Sequence, residues 1–196
     1  MNNRFILVSY ICFFTGACTF QTKFSYRSKI NQFVKNKYST DSIFFVDFIY
    51  KDKNRILGYV YSSNSFNRNE IVSKNKDYIT TIKSGILEVL KKNGFKISLA
   101  KDSASNIITV EIKELISVMY PRLVDFKTIA TISTDIQIVA SKSGEINYHN
   151  LIKGHGQKIR ISPFSFRKDI SLSLYRAIDD FILIWLSDPK MNVFEK

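Results

Sequence analysis

Few residues in this chain are of a type that does chemistry, and their spacing limits which chemistry is open to them. The 196 residues include two histidines, His149 and His155, and two cysteines, Cys12 and Cys18, both near the start. A zinc site needs three or four His, Cys or carboxylate ligands, and a Cys–His nucleophile pair needs a thiol in the folded region. Neither pattern is spelled out. Asp179 and Asp180 are neighbours on a predicted helix and point in different directions, and Glu111 and Glu114 fall on opposite faces of a regular strand. Neither pair is expected to supply the facing carboxylates of general acid and base catalysis. The seven glycines form no phosphate-cradling loop and no nucleophile elbow. The reading is a protein that is not an enzyme and carries no cofactor or metal. Gly154-His155-Gly156 reads as a solvent-facing strand end, with a bulge or bend that exposes the imidazole for a metal or catalytic role as the alternative.

The remaining reactive group is the Cys18 thiol. Arg4 gives a positive start, Phe5 to Phe14 is an almost unbroken apolar run, and Thr15-Gly16-Ala17 brings small residues up to Cys18. The run is shorter than the ~20 apolar residues of a membrane-spanning helix, so a cleaved secretory signal is expected. The stretch resembles a bacterial lipoprotein signal, whose lipobox places small residues before a cysteine that is lipidated and then becomes the mature N-terminus. Gly16 and Ala17 match that pattern, while Thr15 stands where the family usually has Leu. Cys12, behind the bulky Tyr10 and Ile11, does not compete. The resemblance implies a diacylglyceryl cysteine with palmitate at Cys18. Thr19 replaces the Asp that retains many Gram-negative lipoproteins in the inner membrane, which implies the outer membrane, facing periplasm or cell surface.

The formal net charge is +12, and removing Arg4 with the signal leaves 28 basic against 17 acidic side chains. Such a surplus suits anionic partners: membrane lipid, an anionic envelope component or an acidic protein. Export argues against nucleic acid. The basic residues gather in two places. Lys23, Arg27, Lys29, Lys35 and Lys37 follow the signal, and Lys153, Lys158, Arg160, Arg167 and Lys168 surround His155. The second group is the candidate anionic-ligand surface.

Residues 1–17 are assigned to the signal, 18–41 to a lipidated, basic, flexible tether outside the main core, and 42–196 to a single α+β domain. Within the domain, Ile43 to Tyr50 is too apolar for a strand with one wet face and predicts a central strand covered on both sides, or one at a contact surface. Ile56 to Tyr61 reads as a second strand and the polar Ser62 to Lys76 as a loop. Ile79, Ile82, Ile86 and Leu90 form the stripe of a helix over 77–93, capped by Asn75 and stopped by Gly94. Phe95, Ile97 and Leu99 then share one side of a short strand. Ile108, Val110 and Ile112 alternate up to a phase slip at Glu114-Leu115, where a bulge is expected. A long hairpin carries Ile132, Thr134, Ile136 and Ile138 outward and Ile146, Tyr148, Asn150 and Ile152 back, with a turn at 141–144. Pro163 ends it, and a closing helix from about Phe166 to Ser187 presents Ile170, Leu174, Ile178, Phe181 and Trp185. The expected sheet is mixed and mostly antiparallel, with two amphipathic helices packed on it.

This order behind a lipobox resembles the YajG-type family of bacterial outer-membrane lipoproteins. Shared features are a helix like Ile82 to Gly94 ending in a Gly-aromatic step, a strand like Ile107 to Glu114, a hairpin like Ala130 to Gly156, and a C-terminal helix after an aromatic-containing loop like Pro163 to Phe166. The resemblance spans Thr80 to Phe194 and implies a fold and an anchor rather than an activity. The expected role is a lipid-anchored envelope lipoprotein that binds or supports. The alternative is an accessory subunit of an envelope transport or secretion complex.

Overall fold

The computed structural model describes residues 19–22, 24, 26, 42–50, 56–61, 68–73, 78–161 and 166–194. The signal, Cys18, Asn75 and Pro163 lie outside the described residues. The fold is α+β: an eight-stranded mixed sheet, mostly antiparallel, with two helices packed on one face. Its spine is β6 (Asn106–Pro121), which pairs along its whole length with β7 (Phe126–Ala140), and β7 pairs in turn with β8 (Ile146–Arg160). The other side of β6 is shared. β2 (Ile43–Tyr50) lies parallel to its first half, with β5 (Lys96–Ser98) beyond. β3 (Ile56–Tyr61) lies parallel to its second half, followed by β4 (Arg68–Ser73) and β1 (Thr19–Thr22).

Alternation explains the long strands. Ile108, Val110 and Ile112 point to the helices, the register slips between Ile112 and Glu114 as the phase break predicts, and Leu115, Ser117 and Met119 then resume the inward positions. β6 thus runs past the expected Glu114 and turns at Arg122–Asp125 into β7, making a three-stranded meander. Gly144, with φ 72°, sits in the β7–β8 turn.

Helix α1 (Tyr78–Lys92) buries Ile82, Ile86, Val89 and Leu90. It ends as predicted: Gly94 adopts φ 94°, and the Phe95 amide donates to the Leu90 carbonyl. Helix α2 (Phe166–Leu186) buries Ile170, Leu174, Ile178, Phe181 and Trp185. It runs antiparallel to β8 and approaches it closely. A Cβ added at Gly154 would stand 2.1 Å from the Ala177 carbonyl oxygen, and one at Gly156 would stand 2.0 Å from that of Ser173. The two glycines are therefore the floor on which the helix lies, and the stretch is a regular ladder with His155 exposed, a solvent-facing strand and not the alternative bulge or bend. Side chains of α2 also seal the outer edge of β8, where Asp180 Oδ2 accepts from the His155 amide at 2.8 Å and Arg176 donates to the Gln157 carbonyl. At the far end Asp188 ties helix to strand, accepting from Tyr148 Oη at 2.8 Å and Asn150 Nδ2 at 2.7 Å.

Four other expectations are corrected. β2 is central between β5 and β6 but is buried on one face only, so of its two expected settings cover on both sides does not hold: Phe44 and Val46 face the helices while Asp47 on the opposite face is exposed. Leu99 lies beyond β5 and is 93% exposed, so it does not continue the row of Phe95 and Ile97. Arg68–Ser73 is a strand within the expected loop, because Asn69, Ile71 and Ser73 alternate into the core and Ile71 is fully buried.

The largest correction concerns the start of the chain. Thr19–Thr22 is a strand parallel to β4, and Phe20, Phe24 and Tyr26 belong to the core. Phe24 packs between Tyr78 of α1 and Tyr175 of α2, with centroids 6.1 and 5.2 Å away. Tyr26 lies against Gly85 of α1 and donates to Asp179 Oδ1 of α2 at 2.6 Å. These aromatic side chains need burial that a polar leash would deny them. The remainder of the expected tether, 27–41, lies outside the described residues.

Candidate functional site

Of the residues considered for chemistry, Glu111, Glu114, His149 and His155 are scattered over the outer face of the sheet, while Asp179 and Asp180 lie on α2. The bulge at 113 shifts the phase of β6, so Glu111 and Glu114 share that face rather than occupying opposite ones. Glu111 stands opposite Asp135 in the ladder, but each carboxylate has its own partner: Lys113 Nζ is 2.7 Å from Glu111 and His149 Nε2 is 2.9 Å from Asp135. His155 lies further along the same face, opposite Thr131. Asp179 accepts from Tyr26 and Asp180 from the β8 edge, which are structural duties. Among the described residues no group of three or more His, Cys, Asp or Glu side chains is placed to hold a metal ion.

The candidate anionic-ligand surface is divided by strand alternation. Lys153 and His155 are exposed on the outer face. Lys158 and Arg160 fall on the helix side of β8. Arg160 Nε lies 3.0 Å from the buried Asp169 carboxylate, in the first turn of α2. Arg167 stands over the rings of Phe20 and Phe166, at 5.5 and 5.7 Å, and Lys168 beside it is exposed. The structure thus joins Lys158, Arg160, Arg167 and Lys168 at one end of the sheet and leaves Lys153 and His155 apart.

That end collects more than charge. Phe20, two residues from Cys18, meets Phe166 edge-on at 5.1 Å, so the chain enters the fold beside the N-terminus of α2. Arg160 pairs in register with Phe126, at the base of the Arg122–Asp125 turn. There Arg122 pairs with Asp125 through side chain and backbone, and this hydrogen bond holds the Asp125 carboxyl below its usual range. The closed turn holds out Leu123, fully exposed, and Val124, 80% exposed, with Ile161, 84% exposed, at the end of β8. On the outer face nearby, Tyr61 stacks on Tyr120 at 5.3 Å and the Arg68 guanidinium covers Tyr59 at 4.2 Å. This tip leaves little trace in the sequence. Its only signal was two apolar residues between Arg122 and Asp125, a pattern that reads as a turn without indicating that the turn projects from the body.

No family model matches the chain, and no curated protein matches it in sequence. Among solved structures, protein XCC0632 from Xanthomonas campestris, of the DUF330 family, is similar with a TM-score of 0.55 and 8% identity, over 90% of this chain and 97% of that one. The likeness is one of fold. Two further structures are more distant. A neuraminyllactose-binding hemagglutinin homolog from Helicobacter pylori has a TM-score of 0.47 and 13% identity, over 89% of this chain and 96% of that one. A minor lipoprotein from Acinetobacter baumannii has a TM-score of 0.46 and 8% identity, over 78% and 94%.

Proposed function

We propose that this chain is a lipid-anchored lipoprotein of the bacterial cell envelope, with a non-catalytic binding or structural role. The observation that carries the reading is the run Phe5 to Ala17 closing on Cys18, followed at once by a chain that is part of the fold from Thr19. A signal cut before Cys18 would leave a mature protein whose first residue bears acyl chains and whose second begins a strand. The YajG-type resemblance belongs to this proposal, as does the outer membrane, for which Thr19 after Cys18 is the support. Several acyl chains on one cysteine bury enough CH₂ groups, at about 0.8 kcal/mol each, for lasting attachment. The protein expressed from its own signal should incorporate labelled palmitate and partition into detergent, and Cys18→Ala should abolish both. Labelling that survives Cys18→Ala would refute the anchor.

A second reading, an accessory subunit of an envelope transport or secretion complex, is favoured by the outer sheet face, where Tyr59, Tyr61 and Tyr120 lie side by side and Leu151 and Ile159 are exposed. Tyrosine-rich surfaces of this kind suit protein contact. Crosslinking in intact cells should then give a complex of fixed composition that Tyr61→Lys abolishes. A protein that remains uncrosslinked would leave the first reading alone.

A further inference from the structure

The ordered start of the chain leaves no leash between Cys18 and the domain. Thr19 already pairs with Glu70, and Phe20 is locked against Phe166. If Cys18 carries lipid, the sheet end around it is held at the bilayer surface by the length of one residue. Contacts, not strand direction alone, identify that end: Phe20 touches Phe166, Asp169 of the same helix turn pairs with Arg160, and Arg160 is in register with Phe126 beside the Arg122–Asp125 turn.

The chemistry of this end fits a membrane surface. Leu123, Val124 and Ile161 project apolar side chains into solvent, where nothing in the fold requires them. Cations lie on the elements that meet at this end: Lys127 is level with Tyr120 and Ile159, Lys158 is level with Thr128, Arg68 covers Tyr59, and Arg167, beside the exposed Lys168, stands over Phe20 and Phe166. Of the acids nearby, Asp125 and Asp169 are each paired with an arginine, and Glu70, level with Thr19 and Tyr59, stands back from the Arg122–Asp125 turn. Apolar side chains together with cations are the composition that enters the headgroup layer of anionic bilayers.

We infer that this end is a membrane-contact surface for anionic lipid, with Leu123 and Val124 entering the bilayer interface while the acylated Cys18 holds the domain upright on its β6–β7 tip. The inference rests on the proposed acylation and adds to it an orientation and a lipid class. It also assigns the basic surplus of this end to headgroups rather than to a soluble ligand.

The mature chain offers a direct test, because Cys12 leaves with the signal and Cys18 is blocked by its thioether. A cysteine placed at Leu123, or at the control position Leu99, is therefore the single free thiol. Leu99 is as exposed as the tip but follows Ser98, which through Phe45 is level with Ile107 at the opposite end of β6. Both positions are outside the core, so both variants should fold. Each palmitate-labelled protein is reconstituted through its anchor into vesicles of phosphatidylglycerol and brominated phosphatidylcholine, with a polarity-sensitive dye on the thiol. The Leu123→Cys dye should be blue-shifted and quenched at least about threefold more than the Leu99→Cys dye, an advantage that shrinks in purely zwitterionic vesicles. Equal quenching of the two dyes in palmitate-bearing protein would overturn the orientation and leave the anchor standing. Absence of palmitate would overturn both. A Leu123 dye silent in protein-free vesicles but shifted in native envelope membranes would replace lipid with a protein partner at the tip.

Discussion

At Gly154 and Gly156 one missing carbon decides whether the last helix can lie on the sheet. The blocking atoms are backbone carbonyl oxygens at 2.1 and 2.0 Å, which cannot swing away as a flexible side chain would. Gly154→Ala or Gly156→Ala should therefore push α2 outward and cost about 1–3 kcal/mol or more. His155→Ala between them, on the exposed face and bonded to Asp180 only through its amide, should cost less than about 0.5 kcal/mol. Urea melts of the three variants test this directly. Asp188 carries a different prediction. Burial raises its carboxyl, but the Lys190 amide, Tyr148 hydroxyl and Asn150 amide more than offset that, and it lies below its usual value. A carboxyl depressed on folding stabilises the protein above its unfolded value, about 3.9, and loses that contribution as pH falls through the folded value. Asp188→Asn should therefore lower stability at neutral pH and flatten its acid limb in melts taken at several pH values.

Among the elements, β1 and the residues after it make the sharpest claim, since a tether and a core segment differ in what truncation does. Phe24→Ala and Tyr26→Ala should each cost about 3–5 kcal/mol, similar to Leu90→Ala or Ile178→Ala at about 2–5 kcal/mol. An exposed leash would tolerate them without change in the melting curve. What was legible in sequence follows from the same comparison. Both helices and the β7–β8 hairpin show in the sequence because each repeats its period over many residues, and the bulge near Glu114 shows as the break in such a period. β1 shows no such period: Thr-Phe-Gln-Thr is too short to establish one, and its partner β4 lies about fifty residues away in a parallel pairing without a local turn signal. β4 escaped because its buried positions are Asn69 and Ser73 as well as Ile71, and polar residues in a core read as surface.

Over the whole molecule, closeness in sequence was a poor guide to closeness in space. Lys153 and Lys158 lie on one strand, yet alternation sends them to opposite faces, while Arg167 reaches Phe20 across the fold. The expected ligand surface was thus half legible: its Arg160 to Lys168 part holds together, and the apolar tip beside it shows itself only once β6 and β7 are seen to pair to their ends. The seating of Tyr26 between the two helices has a consequence for how the protein is made. Its hydroxyl closes on Asp179, a residue 153 positions later. Were the chain exported from its N-terminus, as the proposed function requires, the first part across the membrane would wait, unfolded, for the last. Contacts of such separation form late because the loop between them must be closed first. If Cys18 is acylated as proposed, that delay would leave the segment before Phe24 unpacked while the lipidating and cutting enzymes act, and closure of α2 over Phe24 and Tyr26 would end the interval. Processing would then be timed by folding, with acylation confined to the interval before the C-terminal helix arrives.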